Sequence, residues 1–114
     1  MAANSSTPAP ELTLRADKHA DEVIVYGSGR ITVGTSSLLQ TTIRGLIPET
    51  KRILLDLSNV TYIDSTGIGS LVSVYLSASK AQCDFRVVNA QPRVRDLFDI
   101  TKLRAVFEDV HASD

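Results

Sequence analysis

The chain has 114 residues, 43% of them hydrophobic, and 12 Lys plus Arg stand against 13 Asp plus Glu. That length and core content fit one domain, and the near-neutral balance argues against a general nucleic-acid binder or a basic membrane-surface helix. No apolar run approaches the ~18 residues of a spanning helix, MAANSSTPAP lacks the basic start and apolar stretch of a signal peptide, and the lone Cys83 has no cysteine partner, so a cytoplasmic protein without membrane insertion is expected.

Residues 1–10, small, polar and proline-containing, read as a flexible N-terminal tail, and 111–114 as a C-terminal tail, leaving one domain across 11–110. From Leu12 the sequence alternates, with Leu12, Leu14 and Ala16 on one side and Thr13, Arg15 and Asp17 on the other, which predicts a half-buried strand. Residues 18–21 form a polar turn and 23–26 begin a second strand, so an antiparallel hairpin is expected. Gly27, Gly29 and Gly34 then punctuate a loop. A helix of about a dozen residues starts at Thr35 or Ser36, carries Leu39, Ile43, Leu46 and Ile47 at helical spacing, and is ended by Pro48.

Residues 53–57 are apolar apart from Asp56, the pattern of a strand covered on both faces, and Tyr62 and Ile63 follow shortly after. Asp56 itself reads as a structural hydrogen-bond acceptor. The next helix, from Ser65 to about Lys80, aligns Ile68, Leu71, Val72, Tyr75, Leu76 and Ser79 on one face. Its opposite face, with Thr66, Gly69, Ser70, Ser73 and Ser77, is small and hydroxylated. Such a face suits either close docking of a partner or packing beneath a neighbouring loop. Residues 85–88 make a strand, Gln91-Pro92 opens a short helix with Val94, Leu97 and Phe98, and Leu103, Val106 and Phe107 form a last apolar segment. Strands alternating with helices predict an α/β domain with helices packed on a sheet that is at least partly parallel.

The stretch YIDSTGIGSLV, residues 62–72, carries the chemistry, and Asp64-Ser65-Thr66-Gly67 supports several readings. Asp and Ser are favoured helix caps, and Gly67 in the first turn lets backbone approach closely. A nucleophilic Ser65 would need a base, yet His19 falls in a turn and His111 in a tail. The aspartic-protease signature is one residue shorter, and a single short domain offers no second carboxylate for a dyad. A phosphate on Ser65 would sit at a helix N-terminus, where free N–H groups favour negative charge, and would repel a partner docked there. Elsewhere, Gly27-x-Gly29 lacks the third glycine of a dinucleotide fingerprint and the lysine of a P-loop. Arg86, Arg93, Arg95, Lys102 and Arg104 outnumber Asp96 and Asp99 locally, as an anion-attracting patch or a solvated helix face.

ILLDLSNVTYIDSTGIGSLV resembles the central segment of STAS domains, named for sulphate transporters and anti-sigma factor antagonists. FRVVNAQPRVRDLFDITKLRAVFED and the SGRIT loop are similar to further family segments, so the likeness spans roughly residues 11–110. It implies a single STAS-like domain, with a mixed four- to five-stranded sheet packed with helices. It also implies a bacterial anti-sigma factor antagonist acting by partner switching in signal transduction and transcription regulation. Unphosphorylated, such a protein binds an anti-sigma factor with serine kinase activity; phosphorylation releases it and a serine phosphatase restores it.

Carried over by position, the phosphoacceptor is Ser65. The partner surface is Gly29, Arg30, Thr32, Asp64, Ser65, Thr66, Gly67, Gly69, Ser70 and Ser73. The resemblance implies no catalytic residue, metal or cofactor. Thr32 stands where family members often carry Asp, and the chain stops soon after Phe107-Glu108. The short C-terminus raises the expectation of an apolar strip open to self-association, a homodimer included. The competing reading is a scaffolding subunit of a stressosome-like or membrane-transporter assembly without a phosphorylation cycle.

Overall fold

The computed structural model describes residues 11–107; the expected tails at 1–10 and 111–114 lie outside the described residues. Along the chain run β1 (Leu12–His19), β2 (Glu22–Ile31), α1 (Ser36–Leu46), a 3-10 turn (Ile47–Glu49), β3 (Arg52–Ile63), α2 (Ser65–Lys80), β4 (Asp84–Val88), α3 (Pro92–Ile100) and α4 (Arg104–Phe107). The described strands form one mixed sheet in the order β1-β2-β3-β4. β1 and β2 are antiparallel, with His19 opposite Glu22 across a two-residue turn in which Ala20 has φ 50. β2, β3 and β4 are parallel. Their two helical crossovers step the sheet in the same direction, so right-handed connections put α1 and α2 on one face.

Strand alternation follows from that layering. Val23 and Val25, Ile53, Leu55 and Leu57, and Phe85 and Val87 are buried in the core with Leu39 and Ile43 of α1 and Leu71, Val74 and Ala78 of α2. α3 and α4 bring Val94, Phe98 and Phe107 to the same core, where Phe107 meets Phe98 and Tyr75 edge-on at ring distances of 5.3 and 6.3 Å. The other sheet face presents Ile24, Tyr26, Leu54 and Val88 half-buried. Among the described residues β3 is therefore fully buried on one face and only half-buried at Leu54 on the other, less cover than its composition suggests. Leu54 stands opposite Ile24 and Arg86 on the adjacent strands.

Two further elements depart from the sequence pattern. Residues 27–31, expected as a loop, continue β2, whose pairing with β1 reaches Gly29 while its register against β3 slips twice. Gly29 has φ +122 and a Cβ there would land on the carbonyl oxygen of Glu11, so only glycine lets the strand run on. The buried stripe of α2 is Gly67, Ser70, Leu71, Val74 and Ala78, and Leu76 is 54% exposed. The helix is turned this way because it packs on two neighbours, the sheet and α1, and its small residues face the closest approaches.

Candidate functional site

β2 and β3 deliver their carboxyl ends, Ile31 and Ile63, to the same pole of the molecule, side by side in the sheet. Asp64 follows in extended conformation and caps α2. Its Oδ1 accepts the Gly67 N–H at 2.7 Å, its Oδ2 accepts the Val33 N–H at 3.1 Å, and its own N–H donates to the Ile31 carbonyl at 3.1 Å. One side chain thus fastens the first turn of α2 to the loop between β2 and α1. Ser65 and Thr66 come next and are exposed, whereas Gly67 is buried. A Cβ on Gly67 would land on the Ile31 carbonyl oxygen and 2.8 Å from Ile63 Cγ2.

The facing loop is knotted by two threonines. Thr35 Oγ1 accepts the Thr32 N–H at 2.9 Å and donates to the Arg30 carbonyl at 2.9 Å, while Thr32 Oγ1 accepts the Gly34 N–H at 3.2 Å. Thr32 is only 9% exposed, so its side chain shapes the loop from within. Arg30 lies over the ring of Tyr62 at 5.2 Å, a cation–π pair that joins the two sides of the rim. Val33, 73% exposed, completes it.

Of the residues expected at a partner surface, Gly29, Arg30, Thr32, Asp64, Ser65, Thr66 and Gly67 are brought together here, and Gly69 is exposed one turn along α2. Ser70 and Ser73 are not on that open rim. Ser70 is 2% exposed, hydrogen-bonded to the Ser36 hydroxyl and to Gln40, and donates to the Thr66 carbonyl. Ser73 meets Gln40 and Arg44, and Ser77 meets Arg44. The hydroxylated face of α2 is thus a polar seam against α1, close to the packed alternative that its composition allowed, with a helix in place of a loop.

On the other side of Ser65 lies a cavity of about 490 Å³ lined by Tyr62, Ile63, Asp64, Ser65, Arg93, Val94 and Leu97. Val33 gave no signal in the sequence. Tyr62 belonged to the quoted motif, and Arg93 to the basic cluster whose location only folding reveals. Nearby, Asp56 is the acceptor expected of it, taking the Ser58 N–H at 2.8 Å, the Ser58 hydroxyl at 2.6 Å and Asn89 Nδ2 at 2.9 Å. Burial pushes the Asp56 carboxyl up, but these hydrogen bonds outweigh it and leave the pKa below its ordinary value. His19 sits at the opposite end of the sheet, in the β1–β2 hairpin, and His111 lies outside the described residues. The arrangement offers an exposed hydroxyl beside a carboxylate whose two oxygens are held by backbone N–H groups.

No helix among the described residues is long and apolar enough to cross a membrane. The family model for the STAS domain matches residues 13–113. The chain is similar to the anti-sigma-B factor antagonist of Bacillus subtilis, 26% identical over 91 residues that span 80% of this chain and 84% of that protein. It is also similar to the solved structure of an anti-sigma factor antagonist from Mycobacterium paratuberculosis, with 27% identity, a TM-score of 0.76, and 89% of this chain and 87% of that one covered. A likeness of fold extends to the Bacillus cell fate determinant SpoIIAA in its phosphorylated form, at 15% identity and a TM-score of 0.64, over 80% of this chain and 85% of that one.

Proposed function

The chain belongs to the STAS domain family, and from that premise we propose that it is a cytoplasmic anti-sigma factor antagonist switched by phosphorylation of Ser65. Unphosphorylated, it docks an anti-sigma factor with serine kinase activity on the rim formed by Gly29, Arg30, Val33, Tyr62 and residues 64–66, with Gly67 buried beneath it. Thr32 holds that rim in shape, and Ser70 and Ser73, committed to α1, stay out of the contact. The kinase transfers the γ-phosphoryl group of ATP to Ser65 Oγ, ADP leaves and the hydroxyl proton is released. A phosphatase reverses this by hydrolysis, giving inorganic phosphate and the free serine. The protein itself is a regulatory binding module.

The observation that carries this reading is the division of labour between Asp64 and Ser65. Both oxygens of Asp64 are engaged by backbone N–H groups, so the fold does not depend on the exposed Ser65 hydroxyl beside it. Phosphorylation would add up to about two negative charges at a helix N-terminus that tolerates them, while the docked partner meets repulsion and an anion costly to desolvate. The names of the two antagonist relatives support the same reading.

The test is a capture experiment from lysate of the source organism with wild-type and Ser65→Asp baits, read by mass spectrometry. Wild type is expected to retain an ATP-binding serine kinase of the anti-sigma type that Ser65→Asp, still folded by circular dichroism, loses. Identical assembly or transporter subunits on both baits would instead establish a scaffold in which Ser65 is only part of a helix end.

A further inference from the structure

The cavity beside Ser65 has walls of two kinds. Ile63, Val94 and Leu97 and the ring of Tyr62 are apolar, while Asp64 and Arg93 carry charge. Asp64 makes no ion pair with the arginine, and both of its oxygens accept backbone N–H groups from Gly67 and Val33. Arg93 makes no ion pair with another described residue, in contrast to Arg104, which meets Asp99 at 3.2 Å. An exposed guanidinium thus shares a partly apolar cavity with an exposed serine hydroxyl.

From this juxtaposition we propose that Arg93 clamps the phosphate of phosphorylated Ser65 inside the cavity between the β3–α2 junction and α3. The proposal deepens the function given above and rests on its choice of Ser65 as the modified residue. Guanidinium suits the task because its planar fork matches two phosphate oxygens at once, and apolar walls strengthen the attraction by thinning the water between the charges. The occupant is the chain's own phosphate, already attached through Ser65 Oγ, so the clamp forms and breaks no covalent bond. Asp64 and Arg30 are the described charges to weigh against it. Asp64 repels the phosphate, and Arg30, stacked over Tyr62, is the competing cation.

The test installs phosphoserine at position 65 of the full chain by genetic-code expansion, without any kinase, and follows the phosphate by ³¹P NMR titration. Arg93→Gln is expected to raise the second ionisation midpoint of the phosphate by roughly one unit relative to wild type, with Arg30→Gln moving it much less. Arg93 is exposed, and an unchanged thermal melt confirms that the variant folds. An unmoved midpoint in Arg93→Gln, or the larger shift in Arg30→Gln, overturns the clamp. Binding of the unmodified and phosphorylated chains to the captured kinase is measured separately. Equal binding would overturn the switch while leaving the clamp result standing.

Discussion

The two ends of the parallel strands use their charges differently. Where β2, β3 and β4 begin, charged side chains pair with one another. Arg52 lies 3.6 Å from Glu22 and 3.4 Å from Asp84, Asp84 lies 2.8 Å from Arg86, and Lys18 reaches Glu49 at 2.8 Å. A cavity of about 430 Å³ there is lined by His19, Ala20, Asp21, Glu22, Lys51, Arg52 and Asp84. Where the strands finish, Asp64 is bound to backbone, and Val33, Tyr62 and Arg93 stand exposed. Ligand sites of open α/β sheets gather outside the carboxyl ends of the strands, and this contrast gives a physical reason. At one end charge cancels side chain against side chain. At the other it fixes the backbone and leaves a serine hydroxyl, an arginine and apolar groups exposed.

The contrast can be broken from its most rigid point outward. Gly67→Ala would drive a methyl group into the Ile31 carbonyl, a backbone atom that moves only with β2. It is expected to cost about 3 kcal/mol in denaturant unfolding; a cost within experimental error would show that the α2–β2 contact is soft. Asp64→Ala removes the acceptor of two N–H groups and is expected to cost about 2 kcal/mol. Amide exchange should speed up at Val33 and Gly67 together, and protection unchanged at Val33 would remove the tie between loop and helix. At the opposite end, Arg52→Gln breaks only half-exposed ion pairs. It is expected to cost less than about 1 kcal/mol and to leave capture of the kinase unchanged. Loss of capture in that variant would move the docking surface to the wrong pole.

Much of this was legible in residues 62–72, because a capping acid, a glycine and an apolar run act over a few residues and leave local traces. Helices α1 and α3 were legible for the same reason, each with its proline or glycine punctuation. Long-range effects were not. The run of β2 through Gly27 and Gly29 depends on Glu11 lying across from it, and glycine-rich sequence by itself reads as loop. Ser70 can be buried because its hydroxyl donates to the Thr66 carbonyl, accepts from Gln40 and meets the Ser36 hydroxyl, a polar helix seam that no hydrophobic count detects. Arg93 reaches the Ser65 cavity only because α3 folds back beside the end of β3.

The central claim is that Ser65 is the group through which the partner controls this surface. It is tested most directly by incubating the captured kinase with ATP and either the wild-type chain or Ser65→Ala, locating the phosphate by tandem mass spectrometry, and asking which form stays bound. The account predicts phosphate on Ser65 alone, release of that form, and a Ser65→Ala chain that binds but is neither modified nor released. Phosphate on Thr66 or elsewhere, or a Ser65-phosphorylated chain that remains on the kinase, would contradict it.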